Sequence, residues 1–339
     1  MVTCAGDGGA FYATDGDGSY FLAKSTNAGG SWTTILVGSG PAVACSLDGT
    51  KLAATGGYVS TNSGATFVPV SIQPDSFAWS GDGCVLAAAT RGIYLSHDNG
   101  LSWTITAAPT NTYWSAVALS ADGKVLVAAP RSPVGPLYVS TDSGATWKPA
   151  ATPTNLWGSV VCSLDGHKLA AVQAPYPGSL YVSLDAGANW LVPSPTNAGV
   201  AGLAASADGG LLLTTIDGFV SLSRDFGVTW RNAHAPRTYF QPSLACSADA
   251  TALLAVVGIN NQLAVARLTP ALEIQPMANA LTLSWPWPSS RYALQQSSDL
   301  SSMSWGDVTN NIIVTNYRNQ VVLSRSAAQA FYRLQGPNP

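Results

Sequence analysis

Short apolar runs alternate along most of the chain with clusters of Gly, Asp, Asn, Ser and Thr. One stretch shows the period plainly. Ala42-Val-Ala-Cys45, Lys51-Leu-Ala-Ala54, Tyr58-Val-Ser60 and Thr66-Phe-Val-Pro69 follow one another, each separated from the next by turn-forming residues. Runs this short, bounded by such residues, read as β-strands. The turn between the first two strands carries Asp48-Gly49, and Asp-Gly between apolar runs marks a tight hairpin because Gly accepts positive φ. Equivalent turns recur at Asp82-Gly83, Asp122-Gly123, Asp165-Gly166 and Asp208-Gly209, with divergent copies at Asp7-Gly8 and Asp249-Ala250. Four strands in a unit of about 40 residues is the arithmetic of a propeller blade.

A second pattern interleaves with the first. It reads Ser25-Thr-Asn27-Ala-Gly29-Gly-Ser-Trp32, and returns at Ser60 to Phe67, Ser96 to Trp103, Ser140 to Trp147, Ser183 to Trp190 and Ser223 to Trp230. Its Asp or Asn is placed to accept backbone N–H groups nearby, Gly to make the turn, and the aromatic ring to pack between neighbouring sheets. The pattern resembles the Asp-box, S-x-D-x-G-x-x-W, of sialidases, sortilin-type receptors and related propellers. Six copies of this turn and seven of the other predict an all-β, seven-bladed β-propeller over residues 1–269. These residues are expected to hold blades together and not to perform chemistry.

After Thr269 the repeat stops. Leu272-Glu-Ile274, Leu281 to Trp285, Tyr292 to Gln295, Trp305, Val321-Val-Leu323 and Phe331 to Leu334 predict a small C-terminal β-sandwich over residues 270–339. This stretch resembles a C-terminal module of secreted bacterial multidomain proteins, which implies an extracellular or cell-surface setting. The propeller itself offers strands near Ser243–Cys246, Leu253–Val257 and Leu263–Arg267 for its last blade, but no seventh Asp-box and no fourth strand. The outer edge of that blade is expected to be capped by the C-terminal module or by a neighbouring copy, the second giving a homo-oligomer, or else to stay in water.

Composition narrows the function classes. Charged residues make up 10% of the chain and apolar ones 47%, with 33 Gly and 21 Pro, as suits a turn-rich β protein. A net charge of −3 gives no electrostatic footprint for nucleic acid or anionic lipid. No apolar run is long enough for membrane insertion as a helix, and Met1-Val-Thr-Cys4 has neither the basic start nor the apolar core of a signal peptide. Four of the five cysteines (Cys4, Cys45, Cys162, Cys246) stand three residues before a repeated Asp, which predicts a layer of buried, free thiols.

The acids decide most about catalysis. Of 18, seven belong to Asp-Gly-type turns, four to the Asp-box pattern, and Glu273, Asp299 and Asp307 to the C-terminal region. Asp15, Asp17, Asp75 and Asp217 remain. The sialidase resemblance implies a Tyr–Glu pair and an arginine triad, yet the chain's one Glu lies outside the propeller. Asp217 with Asp15, Asp17 or Asp75 would be the pair for a glycoside hydrolase. The reading favoured is a non-catalytic binding or scaffolding propeller, with that hydrolase and a self-assembling structural protein as alternatives.

Connections opposite the Asp-box turns carry the binding candidates: Tyr113, Trp114, Asn155, Trp157, Tyr176, Arg237 and Tyr239, with Asp217 on the same face. Flat rings beside amides suit a glycan or a protein ligand, and rings at strand starts, such as Trp79 and Trp114, equally suit a plug in the channel mouth. No cofactor motif is present. Asp15-Gly-Asp17 offers alternate oxygens to a metal ion such as calcium, and a glycine-rich hairpin accounts for the same residues.

Overall fold

The computed structural model describes residues 1–14, 21–38, 40–175, 177–193, 199–233, 243–257, 262–270, 272–287, 292–299, 305–315, 318–324 and 330–336. All secondary structure in them is β. No helix is long and apolar enough to cross a membrane among these residues.

Seven antiparallel sheets succeed one another from Val2 to Arg267, each a meander of three or four strands. In the second sheet the strands are Val43–Cys45, Leu52–Ala54, Tyr58–Ser60 and Val68–Pro69, close to the runs read from the sequence. The second strand of each sheet is buried on both faces, as Leu86-Ala-Ala-Ala89 and Leu126 to Ala129 are. Alanine is frequent there because neighbouring sheets pack closely against it. The first strands surround a central channel. The last sheet meets the first: Val2 and Phe11 share a core cluster with Ala245, Ala252 and Leu254. Arg267 donates to Gly8 O at 3.1 Å and lies over the Phe11 ring.

Both repeated turns are held by their own side chains. In the first kind, Ser46 Oγ donates to Asp48 Oδ1 (2.6 Å) and accepts from Lys51 N (3.0 Å). The same bonds recur at Ser80, Ser120, Ser163, Ser206 and Ser247. In the second kind, Ser96 Oγ donates to Asp98 Oδ1 (2.8 Å) and accepts from Gly100 N (2.7 Å). Asp98 also takes Ser102 N and Ser102 Oγ. Trp103 then stacks on Phe77 of its own sheet, in a cluster that includes Val59 and Val70 of the preceding one, its indole N–H on Gly100 O. Asn99, between the acid and the glycine, has φ +60°, and the matching residues of the other copies are left-handed too, Phe226 included. The sequence reading placed only the glycine there.

Residues 272–336 form two further sheets, one ordered Glu273–Pro276, Ala280–Pro286, Arg318–Ser324, Ile313–Thr315, the other Gly306–Asp307, Ala293–Ser297, Phe331–Gln335. Leu283, Trp285, Leu294, Val308, Val321 and Leu323 make their common core. Arg318 ties these sheets to the ring: its guanidinium lies 3.1 Å from Asp208, in an Asp-Gly turn of the sixth sheet, and 3.0 Å from Glu273.

The turn carboxylates make stability pH-dependent. Hydrogen bonds from the Ser102 side chain and backbone, then from Ser96, hold Asp98 down at about 2, and the Thr229 side chain and backbone with Ser223 do the same for Asp225. A carboxyl lowered in the folded state stabilises fully above its ordinary value near 4, and that contribution is lost as pH falls toward about 2. Asn27 and Asn62 make the equivalent bonds without titrating. The double variant Asp98→Asn/Asp225→Asn is therefore expected to lose less stability than the wild type between about pH 4 and pH 2. Urea midpoints across that range measure the difference, and parallel curves would contradict the expectation.

Candidate functional site

The channel narrows at the Asp-Gly turns. There the residue between each Ser and Asp bonds its counterpart on the neighbouring sheet. Ala121 N donates to Leu164 O, Leu164 N to Ala207 O and Ala207 N to Ala248 O, all at 2.8 Å; Ala248 N donates to Gly6 O and Gly6 N to Leu47 O. Gly6 is needed because a Cβ would fall 2.6 Å from Leu47 O. From the third sheet, Asp82 N reaches Ala121 O. The Leu164 side chain crosses this end: a Cβ on Gly81, two sheets away, would lie 2.7 Å from its Cδ2. Leu164 and Trp79 border both a small space of about 140 Å³ at the turn end and a larger one of about 630 Å³ that opens on the opposite face.

The larger cavity is in the size range of ligand pockets. It is lined by small side chains of the first strands, among them Thr3, Ala44, Ala78, Ser115, Ser159 and Gly202. In three consecutive sheets the first strand is irregular near the mouth, with register shifts at Trp114/Ala116, Trp157/Ser159 and Ala201/Ala204. Bulges re-aim backbone groups, and here the displaced carbonyls are met by hydroxyls. Ser115 Oγ donates to Trp157 O (3.0 Å), Thr214 Oγ1 to Gly202 O (2.8 Å) and Thr215 Oγ1 to Ala201 O (2.8 Å). Nothing in the apolar pattern signalled these bulges. Gly158 and Gly202 in the strands were the available hint.

The predicted binding residues separate into groups. Trp114 is fully buried between the third and fourth sheets, edge-on to Tyr138. Trp157 is 2% exposed, packed on Leu137 and Val139, with its indole N–H on Gly135 O. The expectation that these two rings face a ligand is corrected: both belong to the core, where a large ring gains most from burial. Asn155 is half-buried and its Oδ1 accepts Leu156 N. Tyr113 is exposed, with the Arg91 guanidinium over its ring and Arg91 Nε on its hydroxyl. Tyr176, Arg237, Tyr239, Asp15 and Asp17 lie outside the described residues.

Of the acids left by the sequence census, Asp75 lines the cavity and lies 3.9 Å from Arg131. Asp217 sits in a hairpin turn with φ +50°, its Oδ1 accepting Gly199 N, and does not line the cavity. Among the described residues no other acid lines it. No cluster of three or more His, Cys, Asp or Glu is placed to hold a metal ion among them.

Cys4, Cys45, Cys162 and Cys246 are free and border the turn end of the channel. They are half-buried by contact with that space and not sealed in the core, which amends the expected layer of buried thiols. They are nevertheless shielded from bulk solvent. Burial, with Asp249 adding to it, pushes Cys4 up to about 12, and burial raises the other three well above the usual thiol value. A protonated thiol is a poor nucleophile and a poor metal ligand.

No protein-family profile and no curated protein sequence matches this chain. Solved structures do. The GH74 enzyme of Niastella koreensis superposes with a TM-score of 0.61 at 15% identity over 84% of this chain, and the GH74 xyloglucanase of Xanthomonas campestris with 0.59 at 18% over 84%. The chain spans 57% of the length of each. Kuenenia stuttgartiensis hydrazine synthase gives 0.61 at 16% identity, covering 79% of this chain and 95% of the other. These neighbours are β-propellers, and this chain shares the propeller fold.

The thiols supply a test of the channel's geometry. Cys84 is exposed in a turn, unlike the other four. A disulfide reagent added to the native protein should modify Cys84 promptly and the other four only on unfolding. Rapid reaction of all five would contradict this arrangement of the channel.

Proposed function

We propose that the chain is a non-catalytic binding propeller whose ligand, a glycan or a protein surface, approaches the open mouth of the channel beside Tyr113, Arg91 and Asp75. In this reading residues 1–269 form seven blades on Asp-box turns, residues 270–339 form a β-sandwich module, and the protein works outside the cell or on its surface. The supporting observation is the mouth's chemistry. It joins a roomy, mostly neutral cavity to Asp75, the one lining acid among the described residues, which already has a cationic neighbour in Arg131. General acid–base hydrolysis of a glycoside requires two carboxyl groups facing one bond, and Asp217 is engaged by the Gly199 backbone.

A glycoside hydrolase is the second reading, and the likeness to GH74 enzymes favours it. One experiment separates the two. Purified protein is incubated with xyloglucan and other polysaccharides, with binding followed by affinity electrophoresis and cleavage by release of reducing ends. The proposal expects retardation without cleavage, and weaker retardation for Tyr113→Ala. Turnover that disappears in Asp75→Asn would establish the hydrolase instead.

A further inference from the structure

In the second, third, fourth and sixth sheets a short fourth strand covers the outer edge of the third. Val68–Pro69 pairs with Tyr58-Val59, for example, and Val70 N then donates to Gly57 O. Val70 also covers the next sheet's turn, since a Cβ on Gly100 would meet its Cγ1 at 2.8 Å. Among the described residues the seventh sheet has three strands, Leu244–Cys246, Ala252–Val257 and Gln262–Arg267, and nothing in the fourth place. Leu272–Ile274 does not fill it: Glu273–Pro276 pairs with Ala280–Pro286 in the C-terminal region.

The register says which groups are left over. Leu268 N donates to Thr251 O, so bonding alternates inward through Ala266, Ala264 and Gln262. The N–H and C=O of Leu263 and Val265 therefore point outward. Val265 corresponds to Val59: its Cγ2 would lie 3.0 Å from a Cβ on Gly29, as Val59 lies against Gly100. Among the described residues no backbone group completes this edge.

The chain carries a segment that matches the vacancy. Among the described residues Ile313–Thr315 is the edge strand of its own sheet, paired with Arg318–Ser324 alone. Ile312, Ile313 and Val314 are 43–53% exposed, although strand edges of soluble proteins ordinarily carry charge or proline. Thr315 and Arg318 are the last partners of this pair of strands, so alternation leaves the backbone of Val314 and Ile312 facing outward. Two outward residues spaced by two on each edge allow antiparallel pairing of Val265 with Ile312 and of Leu263 with Val314. Val314 would then take the place that Val70 holds in the second sheet, over the Gly29–Trp32 turn.

We infer that Ile312–Thr315 of one copy completes the seventh sheet of a second copy as its missing fourth strand. Donor and acceptor edges are different surfaces, so the contact is head-to-tail and produces a closed ring or a growing filament. The association is independent of any ligand at the channel mouth.

Sedimentation velocity over a dilution series tests it with the wild type, Val314→Pro and Ile274→Lys. Proline at position 314 removes an outward N–H and leaves the bonds within its own sheet intact. Ile274 lies on the opposite edge strand of that sheet and is 52% exposed. Circular dichroism checks that each variant is folded. The wild type should sediment as dimers or larger species that dissociate on dilution, Ile274→Lys should match it, and Val314→Pro should be monomeric. Hydrogen exchange at the Leu263 and Val265 amides should be slowed in the assembled wild type and fast in Val314→Pro. A monomeric wild type, association of Val314→Pro, or loss of association in Ile274→Lys would each overturn the inference.

Discussion

The backbone hydrogen bonds that pass from turn to turn around the narrow end of the channel set where the other parts of the molecule lie. Ala121, Leu164, Ala207, Ala248 and Gly6 each donate to the next sheet's turn, and the step from Ala248 to Gly6 joins the last sheet to the first. A single such bond contributes about 1 kcal/mol. A run of them does more, because each fixes the angle between two sheets and so the position of the next pair. The serine-held turn presents the same N–H and C=O in the fourth, fifth, sixth and seventh sheets, and the Asp-box-like turn at the rim wedges its aromatic ring onto the neighbour. At the seam this backbone bond is joined by Val2 N on Ser243 Oγ, by Arg267 on Gly8 and Phe11, and by Val265 beside Gly29.

The wide end varies where the narrow end repeats. The irregular first strands of the fourth, fifth and sixth sheets all lie near the mouth, where each also takes a backbone bond from the preceding sheet: Trp114 N donates to Thr90 O, Asn155 N to Gly135 O and Val200 N to Gly178 O. Thr214, Thr215 and Ser115 satisfy the carbonyls that the irregularities expose, so the departure from regular pairing leaves few polar groups unmet. The same division separates chemistry from structure. Acids held in turns serve the scaffold, and the mouth keeps Asp75, with Arg131, Arg91 and Tyr113 close by along the same face.

What could be read from the sequence followed the range of the interactions involved. The turns are governed by bonds spanning two to five residues, so spacing alone located them, and with them the strands on either side. The aromatic connections were harder. Trp114 and Trp157 follow Pro-Thr-Asn segments whose composition suits an exposed platform as well as a buried plug, and only packing against the preceding sheet decides between them. Tyr113, one residue before Trp114, faces outward because strand alternation reverses the side chain. The left-handed residue inside each rim turn and the link from Arg318 to Asp208 left no local pattern, since they depend on backbone geometry or on partners distant in sequence, whereas the strand Ile313–Thr315 does have a local signal in the β-branched run Ile312 to Thr315 between asparagines.

Native-state hydrogen exchange on the turn amides addresses this run of inter-turn bonds most directly. If it holds the propeller together, the N–H groups of Gly6, Ala121, Leu164, Ala207 and Ala248 should exchange only through global unfolding. They should all share one opening free energy, equal to that from urea denaturation. Faster exchange at Gly6 and Ala248, with the other three still protected, would mean that the ring opens at its seam and that closure is not what the remaining structure depends on.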